Sequence, residues 1–331
     1  MTIAAAFLSI VIEWENAHRT GVDRARLMLM ELDRQLGDAR ANGLARCELI
    51  FVCDGDGDEA RIRDALSRAQ APCDIRILTS PSPDYYEQKS FGAAAARGDV
   101  VVFLDSDVVP EAGWLAALLA PFADPNVSIV SGTSFIEVTG LYSAAMALGW
   151  IFPVRSGTGQ LAEVRTFFAN NIAFRGELIR RNPFPRTGQY RGQCIALAEQ
   201  LRAQGHVVYL NRAAAVSHPP PEGASGFALR ALRNGHDEAA FLRRKRRSLL
   251  RHGPPAVFKK LAAALANVWR GYRRFGLGPA GAAAAAAIVA AYYALQLAGL
   301  IATAAAPATA RRLLVGAGPG AAPAELSPAR G

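Results

Sequence analysis

Four short apolar runs constrain the fold of this chain more than any other feature. Residues 7–12 (FLSIVI), 47–52 (CELIFV), 74–78 (DIRIL) and 100–104 (VVVFL) each have strand length and near-continuous hydrophobicity. The segments between them read as helices. Residues 23–41 place Leu27, Met30 and Leu36 among charges, and residues 58–69 carry Ile62, Leu66 and Ala69 at helical spacing. Such alternation predicts an α/β fold: a mostly parallel, Rossmann-like sheet with helices on both faces and ligands at the carboxyl ends of the strands. Further along, residues 115–122 read as a helix, 127–131 as a strand, 193–204 as a helix ended by Gly205, and 206–210 (HVVYL) as a strand leading to His218 and three prolines. Between the strand at 127–131 and Arg186 the pattern is mixed.

Carboxylates stand at two of the predicted strand ends: Asp54, Asp56 and Asp58 after the second, Asp105 and Asp107 after the fourth. Two like charges one residue apart repel, so a cation between them is expected. A calcium loop starting at Asp54 fails, because its sixth position is Glu59 where glycine is needed and its twelfth is Ala65 where a bidentate glutamate is needed. FLDSDVV resembles the first motif of haloacid-dehalogenase-type phosphohydrolases. That chemistry needs further downstream carboxylates for magnesium, and no aspartate occurs between Asp124 and Asp237.

The net charge of +9 is concentrated. Residues 230–274 hold 13 Lys/Arg against Asp237 and Glu238, a local charge of +11, so the rest of the chain is slightly acidic. This basic block precedes an uncharged run, residues 280–307, long enough to cross a bilayer as one helix. The combination points to an anionic membrane surface rather than nucleic acid, with the basic side facing the cytoplasm of a bacterial-type inner membrane. The expected organisation is a catalytic domain over 1–222, a basic membrane-proximal helical region over 223–279, a transmembrane helix over 280–307 and a disordered tail over 308–331. The start, MTIAAAFLSIVI, reads as a first buried strand, since it lacks the basic residues and cleavage site of a signal peptide. Cys47, Cys53, Cys73 and Cys194 form no CxxC pair and read as reduced, buried thiols.

From about Leu8 to His218 the chain resembles family 2 glycosyltransferases of the GT-A fold. SIVIEWEN (9–16) is similar to that family's SVVIPTYN, VCDGDG to its VVDDGS, and KSFGAAAARG to its RNxGxxxAxG; the DSD of 105–107 follows at the family's spacing. The resemblance implies a nucleotide-sugar donor, with a UDP-sugar favoured, and Mn2+ or Mg2+ to neutralise charge on the departing diphosphate. It assigns Asp107 to the metal, Asp105 to the ribose or the metal, and Asp54 to the nucleotide. Lys89 becomes a point charge for the diphosphate or base pocket, against the alternative of a solvated surface lysine. His218 would complete the metal shell, Asn171 in FFANNIAFR would lie near sugar and acceptor, and Arg175 would be structural. Trp14 has no counterpart in the family pattern; it either stacks on a ring or is buried.

The chain departs from the pattern where the family carries its catalytic base, in a stretch like GEDxDL. Here it reads GQCIAL (192–197), and neither glutamine nor alanine can take a proton. Glu199, one helical turn further on, is the expected base, with Glu163 as the other carboxylate option and a catalytically silent donor-binding module as the alternative reading. The QxxRW-like motif of processive relatives is also incomplete, since Arg230-Ala-Leu-Arg233 is followed by Asn234. A single transfer to a lipid-linked or envelope-polysaccharide acceptor is therefore expected.

Overall fold

The structure, a computed structural model, describes residues 6–17, 21–55, 58–67, 73–150, 152 and 161–315. The four apolar runs form β1 (Phe7–Glu13), β2 (Arg46–Cys53), β3 (Asp74–Thr79) and β4 (Val100–Asp105), all mutually parallel in the order β3-β2-β1-β4. Helices α1 (Val22–Ala41), α2 (Asp58–Leu66) and α3 (Tyr85–Ala95) connect them. Both faces of β1, β2 and β4 are covered, which is why these strands are apolar throughout instead of alternating. Successive side chains point to opposite faces. Leu8, Ile10 and Ile12 meet Met28, Leu32 and Leu36 of α1 on one side, and Val11 packs with Tyr85, Tyr86 and Ala93 of α3 on the other. Gly92 sets the approach of α3, because a Cβ there would run into the Val11 side chain.

After β4 the chain forms β5 (Val109–Pro110), α4 (Trp114–Leu119), β6 (Ile129–Ile136), α5 (Leu141–Gly149), β7 (Leu161–Val164), β8 (Asn171–Arg175), α6 (Gly176–Arg181), α7 (Gln193–Ala203) and β9 (Val208–His218). β8 enters antiparallel between β4 and β6, so β6 and β9 again run in the direction of β4. The nine strands found among the described residues make one mixed sheet, with β7 and β5 both on β9. Residues 132–186, whose pattern is mixed in sequence, contain β7, β8, α5, α6 and most of β6. β9 continues well past residue 210 through alanines of low strand propensity, because β6 and β5 pair with it. At a register shift between Ser131 and Thr133, residues 211–214 of β9 bulge opposite Gly132, where a Cβ would collide with the Ala214 carbonyl and the Asn171 amide.

The C-terminal part is helical: α8 (Gly223–Arg244), α9 (Leu249–Gly271), α10 (Pro279–Ala305) and α11 (Pro307–Leu314). α10 is long and apolar enough to cross a membrane, and a third of its most apolar stretch is buried against the protein. The buried face sets Val289 against Gly149 of α5 and Tyr292, Gln296, Gly299 and Thr303 toward α8, where Gly235 and Gly299 allow close backbone approach.

Two expectations need correction. Cys47 and Cys73 are not free thiols: they form a disulfide, with Cα atoms 4.9 Å apart, that ties the start of β2 to the residue before β3, leaving Cys53 and Cys194 as buried thiols. Parallel pairing of β2 with β3 brings these two cysteines together, a proximity that sequence spacing does not reveal. The segment from 308 is also not wholly unstructured, because α11 forms with a proline in its first turn and buries Ala310 and Leu314. Residues 316–331 lie outside the described residues.

Candidate active site

Parallel β1, β2, β4 and β9 deliver Glu13, Asp54, Asp105 and His218 to one edge of the sheet. Glu13 lies opposite Asp105 in the β1–β4 ladder, and both are buried. Asp105 is held from three sides: Lys89 Nζ is 2.7 Å from Oδ1, the Tyr85 hydroxyl donates at 2.7 Å, and Asn16 Nδ2 donates to Oδ2 at 3.1 Å. Asn16 also donates to Glu13 at 2.8 Å, so one amide bridges two carboxylates. Burial, and then the Asp105 charge, push the Glu13 carboxyl well above its ordinary range. Lys89 is fully buried and its cation also lies 4.7 Å from the Tyr85 ring centroid, so it is not a solvated surface lysine. Its charge is directed at Asp105.

Asp107 differs from Asp105. It is buried, and its Oδ1 has no hydrogen-bond partner. Burial raises its carboxyl, with His218 acting in the opposite direction. His218 is buried too, and burial pulls its imidazole below the ordinary range. A carbonyl can only accept, so the 2.5 Å contact of Nδ1 with the Pro219 oxygen places the ring proton on Nδ1 and leaves the Nε2 lone pair available. Asp107 and His218 open onto a cavity of about 510 Å³, lined also by Tyr190, Glu222, Arg230 and Arg233, the last of which donates from Nε to the Leu314 carbonyl at 2.6 Å. The Arg233 guanidinium lies 4.1 Å from the Tyr190 ring centroid, and that of Arg230 lies between Trp150 and Tyr190 at 5.5 and 5.4 Å. Asp54 stands exposed just past β2, two strands from Asp105, roughly 10 Å away by strand spacing. Asp56 lies outside the described residues.

Other expected site residues are placed elsewhere. Asn171 is fully buried: its Oδ1 accepts from Trp114 Nε1 at 2.8 Å, and its Nδ2 donates to the Ala214 and Thr133 carbonyls at 2.9 and 3.2 Å. It ties the β9 bulge to β6 and does not line the cavity. Glu199 does not line the cavity either; its carboxylate faces Lys245 at 2.9 Å and Arg244 at 3.6 Å, on the outer side of α7. Glu163 pairs with Tyr209 near the start of β9, roughly 30 Å along the strand from His218. Cys194 shares a 3.3 Å hydrogen bond with Tyr86, and burial pushes its thiol up to about 11, so it stays protonated at neutral pH. Gln193 turns back onto Gly192 N and Gln189 O. Arg175 donates to the Val127, Phe122 and Asp124 carbonyls, a structural role as expected. Trp14 is core, edge-on to Phe51 at 5.9 Å.

Sequence reading did not single out Tyr190, Arg191 or Asp237, and noted Arg230 and Arg233 only as an incomplete motif. The Asp237 carboxylate accepts from Tyr190 N at 2.5 Å and Arg191 N at 2.8 Å, fixing the turn before α7. Arg191 then stacks on Tyr85 at 3.7 Å, the tyrosine that holds Asp105. The available signal was an isolated acidic pair inside a strongly basic block.

Comparison with known proteins agrees with this architecture. The family model described as "Glycosyl transferase family 2" matches residues 31–181. Two curated relatives, the pre-mycofactocin glycosyltransferases of Mycobacterium tuberculosis strains CDC 1551 and H37Rv, are 47% identical over 84 residues, 25% of this chain. The match spans 17% of those relatives' length. A solved mannosyltransferase from Pyrobaculum calidifontis, in complex with GDP-Man and Mn2+, superposes with a TM-score of 0.53 over 91% of this chain and 86% of its own, at 17% identity. The family match sets aside the phosphohydrolase reading of FLDSDVV. Residues 31–181 thus match family 2 of the glycosyltransferases, within a chain of the GT-A fold.

Proposed function

We propose that the protein is a metal-dependent glycosyltransferase that makes single transfers from a nucleoside diphosphate-sugar to a lipid-linked or envelope-polysaccharide acceptor at a cell membrane, with its catalytic domain on the cytoplasmic side. The observation that carries this reading is the orphaned, buried Oδ1 of Asp107 on a cavity that His218, Arg230 and Arg233 also line. Among the described residues no three acidic, histidine or cysteine side chains converge as a complete metal cage. One carboxylate and one imidazole nevertheless suit Mn2+ or Mg2+, whose remaining positions are commonly filled by water and substrate phosphates. Asp107 and His218 would hold the ion, which when bound offsets charge on the diphosphate. The Mn2+ in the Pyrobaculum mannosyltransferase complex is in keeping with this assignment.

The other residues have separable tasks. Lys89, Tyr85 and Asn16 lock Asp105 in one orientation, ready to accept a hydrogen bond from a sugar hydroxyl. We assign Asp54, exposed just past β2, to the nucleotide. Arg230 and Arg233 supply positive charge on the same cavity as Asp107, where anionic groups of donor or acceptor come to lie.

The test is nucleotide binding and release with UDP-, GDP- and TDP-sugars, with and without Mn2+, in wild type and Asp107→Ala. Metal-dependent binding, weakened more than tenfold in the variant, is expected. Metal-dependent binding with no turnover on any membrane extract would leave a silent donor-binding module.

A further inference from the structure

Among the described residues, two acidic side chains line the cavity: Asp107, already assigned to the ion, and Glu222, the residue just before α8. The stretch that resembles the family's base motif supplies no proton acceptor to it. Gln193 turns back onto Gly192 and Gln189, and Cys194 stays a protonated thiol against Tyr86. Glu199 and Glu163 lie away from the cavity. A hydroxyl that attacks a sugar carbon has to lose its proton, and a group within hydrogen-bond reach has to take it.

Glu222 differs from the other exposed glutamates. Glu59, Glu177 and Glu199 each pair with an arginine or lysine. The Glu222 carboxylate has no hydrogen-bond or ion-pair partner among the described residues, and it leaves unmade the cap bond to the first turn of α8 that its position would allow. The backbone that presents it is nevertheless fixed. Pro219, Pro220 and Pro221 precede it with restricted φ, and the Tyr142 hydroxyl donates to the Pro221 carbonyl at 2.6 Å. His218 stands four residues earlier, at most about 14 Å along the chain. One rigid turn therefore carries a metal-binding candidate at its start and an uncommitted carboxylate at its end, both on a cavity of about 510 Å³. The other charged groups on that cavity are Asp107, Arg230 and Arg233, and none of them forms an ion pair with Glu222.

We propose that Glu222 is the general base of the transfer, taking over at the start of α8 the task for which α7 has no carboxylate; this rests on the glycosyltransferase reading above. The acceptor O–H gives its proton to a Glu222 carboxylate oxygen while the acceptor oxygen bonds to the anomeric carbon. The bond from that carbon to the diphosphate oxygen breaks, and the nucleoside diphosphate leaves with the bonding pair. One negative charge passes from Glu222 to the leaving group, so the total charge is conserved, and the proton then returns to water.

The experiment uses the full chain in detergent with Mn2+ and whichever UDP-, GDP- or TDP-sugar binds best. Octyl glucoside and water serve as hydroxyl acceptors, and azide as an acceptor that has no proton to lose. Glu222→Gln should lower kcat toward octyl glucoside at least a hundredfold, the lower end of what a positioned base contributes. Donor affinity, the KM for octyl glucoside and transfer to azide should all stay within threefold of wild type. Formate should restore transfer by Glu222→Ala at least tenfold, and Glu222→Asp should fall between Gln and wild type. A residue that only shaped the cavity would lower transfer to azide and to octyl glucoside together. Equal loss with both acceptors, hydroxyl transfer by Glu222→Gln within threefold of wild type, or a wild type that binds donor yet transfers to neither hydroxyl overturns the assignment and leaves the donor reading standing. A wild type that binds no donor with Mn2+ refutes the donor reading and takes the assignment with it.

Discussion

Replacing Asp237 with asparagine should make the protein more stable above neutral pH. Asp237 is buried in α8, and burial pushes its carboxyl up to about 6 despite the two backbone N–H groups that favour its charge. An acid whose folded pKa is raised binds its proton more tightly in the folded state. Its contribution to stability is therefore complete below about pH 4 and is lost as pH rises through about 6. From an ordinary value near 3.9 to about 6 is roughly 2 pH, and at about 1.4 kcal/mol per pH the loss is about 3 kcal/mol by pH 8. Asparagine never charges, but its amide has one acceptor oxygen where the carboxylate has two, so one of the two backbone N–H groups loses its partner at about 1–3 kcal/mol. Asp237→Asn should lie up to about 2 kcal/mol below wild type at pH 4.5 and up to about 2 kcal/mol above it at pH 8. Urea denaturation followed by tryptophan fluorescence at pH 4.5, 6 and 8 measures this. Asp237→Ala, which leaves two buried N–H groups without an acceptor at about 1–3 kcal/mol each, should be less stable than wild type at every pH. If Asp237→Asn were as destabilised at pH 8 as at pH 4.5, the backbone bonds would outweigh desolvation and the reasoning would be wrong.

Lys89→Met strips Asp105 of its buried counterion and should cost about 3–5 kcal/mol in chemical denaturation; a loss under 1 kcal/mol would mean that Tyr85 and Asn16 suffice. Glu199→Gln should leave turnover within about threefold of wild type and stability within about 1 kcal/mol, since its partners are surface cations; a hundredfold drop in turnover would restore it as the base. Cys47→Ser should lower stability by about 3 kcal/mol in oxidising buffer, the scale for closing a loop of this size, and by little after reduction. Thermal melts with and without dithiothreitol would show the difference.

Most of the fold was legible because its signals are local. Patterns over the first 104 residues correspond to β1–β4, α1 and the start of α2 within one or two residues, whereas α2 ends three residues earlier than expected and α3 was given no bounds. Each buried parallel strand must be apolar along its whole length, so the chain declares it in one short run. The site was legible in part for the same reason: the ends of neighbouring parallel strands share an edge, which put Asp54, Asp105 and Asp107 together, whereas His218 was joined to them only by the family resemblance.

What the sequence by itself determined is the set of groups at that edge and the absence of an acid or amine side chain in GQC. Tertiary structure alone decided what those groups do to one another. It gave Lys89 and Tyr85 to Asp105 and left an oxygen of Asp107 without a partner. It turned Asn171 inward to tie down the β9 bulge, drew Glu199 to Lys245, and paired Cys47 with Cys73. It also turned α8 so that two arginines of a block read as membrane-facing line the cavity, with an apolar groove behind them. The physical reason is range: propensity and periodicity act over a few residues, whereas partner choice for a buried charge depends on which elements packing brings within about 4 Å.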